Sequence, residues 1–360
     1  MTAIHSRAPA LSIRAGRRAL QRLKQKPLGP EDVHVVPGAA GGPKALGISG
    51  LDQAIFGDWL PRVPQERALI GSSIGSWRFA AIASSDDPAA QLAKLADLYT
   101  RQRFAKGTSA AEISRRSALF LEELLGGRED HVLAHPWYRL NIVVVRSLGL
   151  LQHDTRGRLS LGLMQAISAN MMSRRRLGRF MERGIVYDTR SRAPVSELSD
   201  FPSHEIPLGR DNLLSALLAS ASIPLVMSGV RDIAGAPEGI YRDGGLLDYH
   251  LDLPYQQPGI VLYPHFTDRV VPGWFDKTLP WRRGDADRLQ DVVLVSPSAE
   301  YLSTLPNGKL PDRKDFEKYL DDNAGRERVW RKAVAESGRL GDEFLELVES
   351  GRLPDRIQPL

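Results

Sequence analysis

The segment Arg67-Ala-Leu-Ile-Gly-Ser-Ser-Ile-Gly-Ser-Trp-Arg-Phe-Ala-Ala-Ile-Ala83 places a short glycine- and serine-rich turn between two apolar runs. The first run, residues 68–70, is typical of a buried strand, and the second, residues 77–83, is typical of a helix. The turn Gly71-Ser72-Ser73-Ile74-Gly75 is a G-x-S-x-G motif, in which a sharp strand-to-helix bend exposes the central serine. Ser73 is therefore a candidate nucleophile.

The helix predicted after this turn would support the chemistry of Ser73, because N–H groups at a helix N-terminus can stabilise an oxyanion. Glycine and serine are also common in ordinary turns, and serine is a good helix N-cap. The strand predicted before the motif and the helix predicted after it favour a nucleophile over a plain capping turn.

The composition is that of an ordinary globular protein. Of the 360 residues, 42% are hydrophobic and 25% are charged, which suits one large α/β domain or two smaller ones. The absence of cysteine excludes disulfides, a thiolate nucleophile and cysteine-bound metal. The formal net charge is +5 and we find no RNA-binding signature or helix-turn-helix, so a nucleic-acid partner is not expected.

The apolar runs also bear on membrane insertion. None approaches the roughly 18 residues of a transmembrane helix. The first residues are basic and lack a long apolar stretch, so a secretory signal is not expected. We therefore expect a cytoplasmic protein, for which peripheral contact with an anionic membrane is a further hypothesis.

Strand and helix patterns alternate through most of the chain, which predicts an α/β fold with a mainly parallel sheet covered by helices. Strands are predicted at residues 33–36, 68–70, 140–146, 184–188 and 291–295. Residues 1–30 are expected to form a basic N-terminal extension, residues 31–300 the main domain, and residues 301–360 a C-terminal helical extension. A frayed N-terminus is favoured over a basic tail that touches a membrane.

Residues 160–183 have a helical pattern with two interpretations. Apolar side chains recur along one face and are followed by five arginines; the apolar set is Leu163, Met164, Ile167, Met171 and Met172. This pattern suits a helix that lies on anionic lipid. A helix packed in the protein, with a basic solvated end, is the more common reason for it and is favoured here.

A second motif precedes the first. Residues 37–47, Pro-Gly-Ala-Ala-Gly-Gly-Pro-Lys-Ala-Leu-Gly, form a glycine-rich loop between a predicted strand and a predicted helix. Such loops bring backbone N–H groups close to an anionic atom. The spacing is not that of a phosphate-binding G-x-x-x-x-G-K-[ST] loop, because Lys44 is followed by Ala45. A mobile glycine loop without a ligand is the alternative.

A nucleophilic serine needs a base. A Ser-His-Asp triad would need a histidine late in the chain, and His250 and His265 are the candidates. The turn Asp243-Gly244-Gly245 offers a different base, because a carboxylate held near the Ser73 hydroxyl could take its proton directly. Asp-Gly-Gly is also a common sequence for a turn with no catalytic role.

These motifs together resemble those of the patatin-like phospholipases, over roughly residues 33–254. The glycine loop matches at Gly41-Gly42-Pro43-Lys44, the elbow at residues 71–75, and the acid loop at Asp243-Gly244-Gly245. The run Leu218-Ala-Ser-Ala-Ser-Ile-Pro224 resembles the end of the helix that precedes the acid in that family. The chain departs from the family at residues 246–254, where Asp248 and His250 are interpreted either as an active-site variation or, preferably, as a polar rim.

The resemblance implies a three-layer α/β sandwich with a mainly parallel central sheet. It implies a lipid acyl hydrolase with a Ser73–Asp243 dyad, an oxyanion hole from the N–H groups of Gly41, Gly42 and Ile74, and no cofactor or metal. Lys44 would bind an anionic headgroup or fix the loop. The expected substrate is a lipid or other acyl ester. A catalytically silent patatin-like binding protein and a Ser-His-Asp esterase are the alternatives.

Overall fold

A computed structural model describes residues 8–195, 198–256 and 258–360 of the chain. Its eleven strands belong to one sheet. They are β1 (Leu11–Ala15), β2 (Val33–Gly38), β3 (Arg67–Ser72), β4 (Tyr138–Ser147), β5 (Met181–Tyr187), β6 (Ser203–Pro207), β7 (Val230–Arg231), β8 (Ile240–Asp243), β9 (Ile260–Pro264), β10 (Val292–Pro297) and β11 (Ile357–Pro359).

Twelve α-helices in the described residues accompany the sheet. They are α1 (Arg17–Gln25), α2 (Ser49–Ala54), α3 (Ile74–Ala83), α4 (Pro88–Arg101), α5 (Ala110–Leu125), α6 (Glu129–Ala134), α7 (Arg156–Met172), α8 (Leu213–Ser220), α9 (Ala299–Thr304), α10 (Lys314–Lys318), α11 (Asn323–Glu336) and α12 (Gly338–Glu349). None of the helices in these ranges is both long enough and apolar enough to span a bilayer.

The strand order is β11-β1-β10-β9-β2-β3-β4-β5-β6, with β8 also paired to β4 and β7 paired to β8. The five central strands from β10 to β4 run parallel, whereas β1, β5 and β8 pair antiparallel with their neighbours β10 and β4. Helices flank the sheet on both faces. The predicted three-layer α/β fold with a mainly parallel central sheet is therefore confirmed.

The central strands are apolar on both faces because helices cover both faces of the sheet. All six residues of β3 are buried, and so are Val143 and Val144 in β4. Helix α3 is buried along all ten of its residues, between the sheet and the helices outside it. Most of its residues are apolar, and its buried Arg78 pairs with the buried Asp52 of α2. A helix buried on all sides belongs in a core, so the chain holds the start of α3 in a fixed position after β3.

The N-terminal segment is part of this sheet, at least from residue 11. Strand β1 pairs antiparallel with β10 and parallel with β11, and Arg14 forms a 3.1 Å salt bridge with Asp268. The prediction of an N-terminal extension is therefore wrong for residues 11–15. Buried Leu11, Ile13 and Ala15 alternate with partly buried positions, as in a strand with one face in the core. The basic residues around them concealed that pattern; residues 1–7 lie outside the described ranges.

The C-terminal segment is mostly helical, but it does not end apart from the main domain. Its strand β11 pairs with β1, and helix α12 packs against α2.

The helix predicted over residues 160–183 ends earlier than expected, because α7 ends at Met172 and β5 begins at Met181. Residues 181–187 form a strand because they pair with β4, which is remote in sequence. The local helical pattern carries no information about that pairing.

Candidate active site

The G-x-S-x-G motif forms the bend between β3 and α3. Ser73 has φ 56° and ψ −125°, a backbone conformation that non-glycine residues rarely adopt. A Cβ at Gly71 would lie 2.4 Å from the Ser76 nitrogen, and a Cβ at Gly75 would lie 1.9 Å from the Gly38 oxygen. Both glycines are therefore required by close backbone approach, and the bend holds Ser73 in a strained conformation of the kind that concentrates at functional sites.

The close approach at Gly75 leads to a test of the bend. Gly75→Ala should lower the free energy of unfolding by about 3 kcal/mol or more, because the methyl group would overlap the Gly38 carbonyl. The measurement is urea unfolding. Gly157→Ala in α7 is the matched control, since a Cβ there meets nothing within 4 Å and should be neutral or slightly stabilising. Equal stability of Gly75→Ala and the wild type would contradict the packing described here.

The structure brings Ser73 and Asp243 together. The Ser73 hydroxyl donates a 2.8 Å hydrogen bond to Asp243 Oδ2, and the Gly245 N–H donates a 2.7 Å bond to Asp243 Oδ1. The two residues meet because both of their strands pair with β4: Ser72 lies opposite Val143, and Asp243 opposite Val144. The sheet therefore carries the two side chains to the same level, although they are 170 positions apart.

Burial controls the acidity of this pair. Ser73 is 2% exposed and Asp243 6% exposed. Burial raises the pKa of Asp243, and the positive charge of Arg313 and the hydrogen bonds from Ser73 and Gly245 oppose that rise. A carboxylate with a raised pKa holds a proton more strongly than an ordinary aspartate, which suits a group that must take one from serine.

Two further serines hold the pair in place, and their role was not recognised in the sequence. The Ser73 N–H donates to Ser220 Oγ at 2.9 Å, and the Ser220 hydroxyl donates to the Val143 oxygen at 2.7 Å. The Asp243 N–H donates to the Ser222 oxygen at 3.0 Å. The Ser220 hydroxyl thus ties the elbow to β4, and the backbone oxygen of Ser222 holds the acid. The small hydroxyl residue Ser220 at the end of an apolar helix was the available signal.

The glycine loop lies beside the pair. Gly41 lines the same cavity as Ser73, and the Ala40 N–H is already used in a 2.9 Å bond to the Tyr249 oxygen. Gly42, with φ 55°, begins a 3₁₀ turn, and Ile74 begins α3, so neither N–H has an acceptor from the turn it starts. Gly42 and Ile74 line a small adjoining cavity rather than the main one. The three amides predicted as an oxyanion hole are therefore neighbours, and Gly41 is the one at the cavity wall.

The cavity that contains the pair has a volume of about 420 Å³ and an apolar wall and a basic wall. The apolar wall comprises Leu163, Ile223, Pro224, Leu225, Leu246, Tyr249 and Trp274, and the basic wall comprises Lys44, Lys277, Arg313 and Lys314, with one carboxylate, Asp312, close to both lysines. A larger groove of 880 Å³ between β1 and the 268–289 segment contains no serine, threonine or histidine among the described residues. The smaller cavity is therefore the candidate active site.

Comparison with known proteins shows the family of this chain. A family model described as Patatin-like phospholipase matches residues 59–250, which is more than half of the chain. The chain belongs to the patatin-like phospholipase family. No curated protein matches its sequence. A solved structure of human GIVD cytosolic phospholipase A2 aligns at 11% identity with a TM-score of 0.32, over 93% of this chain and 63% of that one. The chain thus corresponds to less than two thirds of that protein.

The two candidate triad histidines of this patatin-like chain, His250 and His265, form no hydrogen bond with Ser73 or Asp243. The Val271 N–H donates to His250 Nδ1 at 3.0 Å, and the Thr267 N–H donates to His265 Nδ1 at 2.9 Å. Both rings are buried, and neither lines the cavity. Burial lowers the pKa of His250 far below its ordinary value and that of His265 to about 3. The structure therefore does not support the alternative of a Ser-His-Asp triad.

The structure also shows where the residues lie that depart from the family pattern after Gly245. Asp248 is fully buried and accepts hydrogen bonds from Arg183 Nε at 2.6 Å and Arg183 Nη2 at 2.8 Å. His250 is 2% exposed. The interpretation of these residues as a polar rim is wrong, because an arginine from β5 provides Asp248 with a buried partner that the sequence does not reveal.

The basic wall of the patatin-like cavity was only partly predicted. Lys44 lies 4.9 Å from the centre of the Phe266 ring, and burial, followed by the nearby charge of Lys277, lowers its pKa to about 8. Arg313 was missed. A Cβ at Gly42 would lie 3.1 Å from Arg313 Nε, so this guanidinium covers the glycine loop. Arg313 belongs to the C-terminal segment, outside the matched region, and no local motif marks it.

Residues for a metal were also sought. Within the described ranges, no three histidine, aspartate or glutamate side chains lie close enough together to hold a metal ion. The cavity is instead lined by the Ser73 hydroxyl with the Asp243 carboxylate beside it, by Gly41 of the glycine loop, and by several cations, with the Tyr249 hydroxyl and the Asp312 carboxylate also present. That set of groups can perform acyl transfer through a serine nucleophile.

Proposed function

We propose that this chain is a serine acyl hydrolase that cleaves carboxylic esters of lipids, with Ser73 as the nucleophile and Asp243 as the base. The observation that carries the proposal is the 2.8 Å hydrogen bond between the Ser73 hydroxyl and Asp243 Oδ2 at the wall of a partly apolar cavity. Membership of the patatin-like phospholipase family supports the lipid substrate.

In the first half of the reaction, Asp243 takes the Ser73 proton while Oγ attacks the ester carbonyl carbon. The carbonyl oxygen becomes negatively charged and, in this proposal, accepts hydrogen bonds from the N–H groups of Gly41, Gly42 and Ile74. One such donor is typically worth about 3 kcal/mol of the barrier. The carbon–oxygen bond to the alcohol then breaks, and Asp243 returns the proton to the leaving oxygen.

In the second half, water replaces the alcohol. Asp243 takes a proton from the water, whose oxygen attacks the acyl-enzyme carbonyl. The bond to Ser73 Oγ breaks, and the proton returns to Ser73 through Asp243. The products are a fatty acid and an alcohol, and the enzyme regains its starting state without any group other than these side chains and amides.

The two walls of the cavity indicate how a lipid would lie. An acyl chain would contact the apolar wall, including Leu163, Ile223 and Leu246. A phosphate would face Lys44, Lys277 and Arg313, whose positive charges outnumber the single Asp312 carboxylate that lines the cavity with them. A phospholipid therefore satisfies both walls, whereas a neutral acylglycerol satisfies only the first.

A panel of lipid esters tests the proposed function. Wild type and Ser73→Ala are incubated with phosphatidylcholine, phosphatidylglycerol, triacylglycerol and p-nitrophenyl butyrate, and released acid is quantified. We expect release from the phospholipids by the wild type and background release by Ser73→Ala. Binding of lipid without release of acid by the wild type would instead indicate the catalytically silent alternative.

A further inference from the structure

Helix α7 presents apolar side chains to solvent as well as to the core. Its inner side packs Leu159, Leu163 and Ala166 into a buried cluster. Its outer side exposes large apolar residues by 41 to 64%: Leu161, Met164, Ile167, Met171 and Met172. The solvent side of a packed helix is normally polar. The favoured prediction of a packed helix therefore accounts for one side of α7 and leaves the other without a partner.

The exposed side chains of α7 belong to a larger surface. Four more exposed apolar residues are Leu225, Val226, Trp274 and Trp281. With those of α7 they make nine of the ten exposed large hydrophobic residues in the part of the chain that the structure describes, and we call these nine the docking face. Leu119 on α5 is the tenth. Such concentration on one surface marks an interaction site.

The docking face is fixed around the mouth of the candidate active site. Leu225 and Trp274 line the cavity that contains Ser73. The Arg282 guanidinium donates a 2.8 Å hydrogen bond to the Asn170 oxygen, and Asn170 Nδ2 donates to Asp276 Oδ1 at 2.7 Å. These bonds hold the segments that carry Trp274 and Trp281 against the C-terminal end of α7. A flat surface placed on the docking face would therefore cover the cavity mouth.

The charge along α7 and the segment that follows it is of one sign. Residues 155–181 contain six arginines and no aspartate or glutamate. Arg174 points inward and donates to the Leu247 oxygen. Within the described ranges the other five form no salt bridge; they are Arg156, Arg158, Arg175, Arg176 and Arg179. Unpaired arginines beside exposed leucine, methionine and tryptophan are the composition of a helix at a membrane interface.

We propose that the docking face binds the surface of an anionic phospholipid bilayer, with α7 lying in the interface and the cavity mouth open to the lipid. Each arginine near an anionic surface contributes about 1 kcal/mol of attraction, and tryptophan favours the headgroup level. A second copy of the chain fits less well, because a two-fold contact would place the unpaired arginines of both copies together. The docking face is thus a lipid-binding surface distinct from the catalytic groups.

Vesicle flotation tests this surface without depending on hydrolysis. The full chain carrying Ser73→Ala is mixed with phosphatidylcholine vesicles, either pure or with about 30% phosphatidylserine. We expect it to float with the anionic vesicles and much less with the neutral ones. Because flotation measures binding alone, failure of ester turnover in the panel described above would leave this result unaffected.

Two double variants test whether the docking face is the surface that binds the vesicles. Met171→Glu/Trp281→Glu should lower the bound fraction on anionic vesicles by at least about tenfold, and Arg175→Gln/Arg179→Gln should lower it by roughly fivefold for each arginine. Leu119→Glu is the matched control, since Leu119 is similarly exposed but lies outside the face. Circular dichroism melting shows whether each variant folds as the parent does.

Three outcomes would overturn the proposal. The first is absence of flotation with both kinds of vesicle. The second is equal loss of binding in Leu119→Glu and Met171→Glu/Trp281→Glu. The third is a dimer in sedimentation that Met171→Glu/Trp281→Glu converts to a monomer, since the occupant of the face would then be a second copy of the chain.

Discussion

Ser73→Ala is expected to lower kcat for lipid-ester hydrolysis by about 10,000-fold or more. The reason is that Ser73 carries the one aliphatic hydroxyl among the described side chains that line the cavity. The other hydroxyl there, that of Tyr249, is a phenol without a base beside it, and burial raises its pKa to about 12. The fold should survive, because the lost hydroxyl makes only one hydrogen bond as donor, to Asp243. The measurement is the rate of fatty-acid release under saturating phospholipid, together with a thermal unfolding curve.

The neighbouring serine supplies a matched control. Ser72→Ala makes the same chemical change one position earlier, in a side chain that is buried and has no hydrogen-bond partner in the described residues. We expect Ser72→Ala to keep nearly full activity and to be at least as stable as the wild type, since it removes an unpaired buried hydroxyl. Loss of activity in Ser72→Ala equal to that in Ser73→Ala would assign the effect to a disturbed bend instead of to the nucleophile.

Asp243→Asn is expected to lower kcat by about 1,000-fold or more, because an amide cannot take the Ser73 proton. The shape of the chain should be retained, since an amide can still accept from the Gly245 N–H, which donates to Asp243 Oδ1 at 2.7 Å. The measurement is the same fatty-acid assay, with Ser73→Ala as the reference for complete loss. Activity of Asp243→Asn near that of the wild type would exclude Asp243 as the base.

The raised pKa of Asp243 adds two expectations with defined signs. Hydrolysis by the wild type should increase with pH as the carboxyl ionises, with the midpoint above the ordinary pKa of 3.8.

Ionisation of Asp243 also lowers the free energy of unfolding. This loss of stability is absent below about pH 4 and develops as the pH rises through the raised pKa. At pH 7, Asp243→Asn should therefore melt at the wild-type temperature or roughly 2–4 °C above it, and the difference should vanish near pH 4.

Local features of the site were visible in the sequence because they depend on neighbouring residues. The bend at Ser73 needs glycine at positions 71 and 75, where a Cβ would overlap the backbone of Ser76 or Gly38. That requirement, with an apolar strand before it and an apolar helix after it, predicted the elbow. The parallel central sheet likewise followed from the alternation of strand and helix patterns.

Features that depend on distant pairing were not visible. That Ser73 and Asp243 meet is determined by the registers of β3 and β8 on β4, which no single segment encodes. Arg313 enters the cavity from the C-terminal segment, and β1 joins the sheet between two strands of the chain's last seventy residues. In each case the deciding contacts lie far apart in sequence, and short-range periodicity carries no information about them.

Labelling with a fluorophosphonate tests the central claim most directly, because the reagent modifies serine hydroxyls that a nearby base activates. The labelled protein is digested and the modified residue is located by mass spectrometry. We predict one label on Ser73 in the wild type, none in Ser73→Ala, and labelling slowed by about 100-fold or more in Asp243→Asn. An unlabelled Ser73 in the folded wild type, or equal labelling rates in the wild type and Asp243→Asn, would contradict an activated Ser73–Asp243 pair.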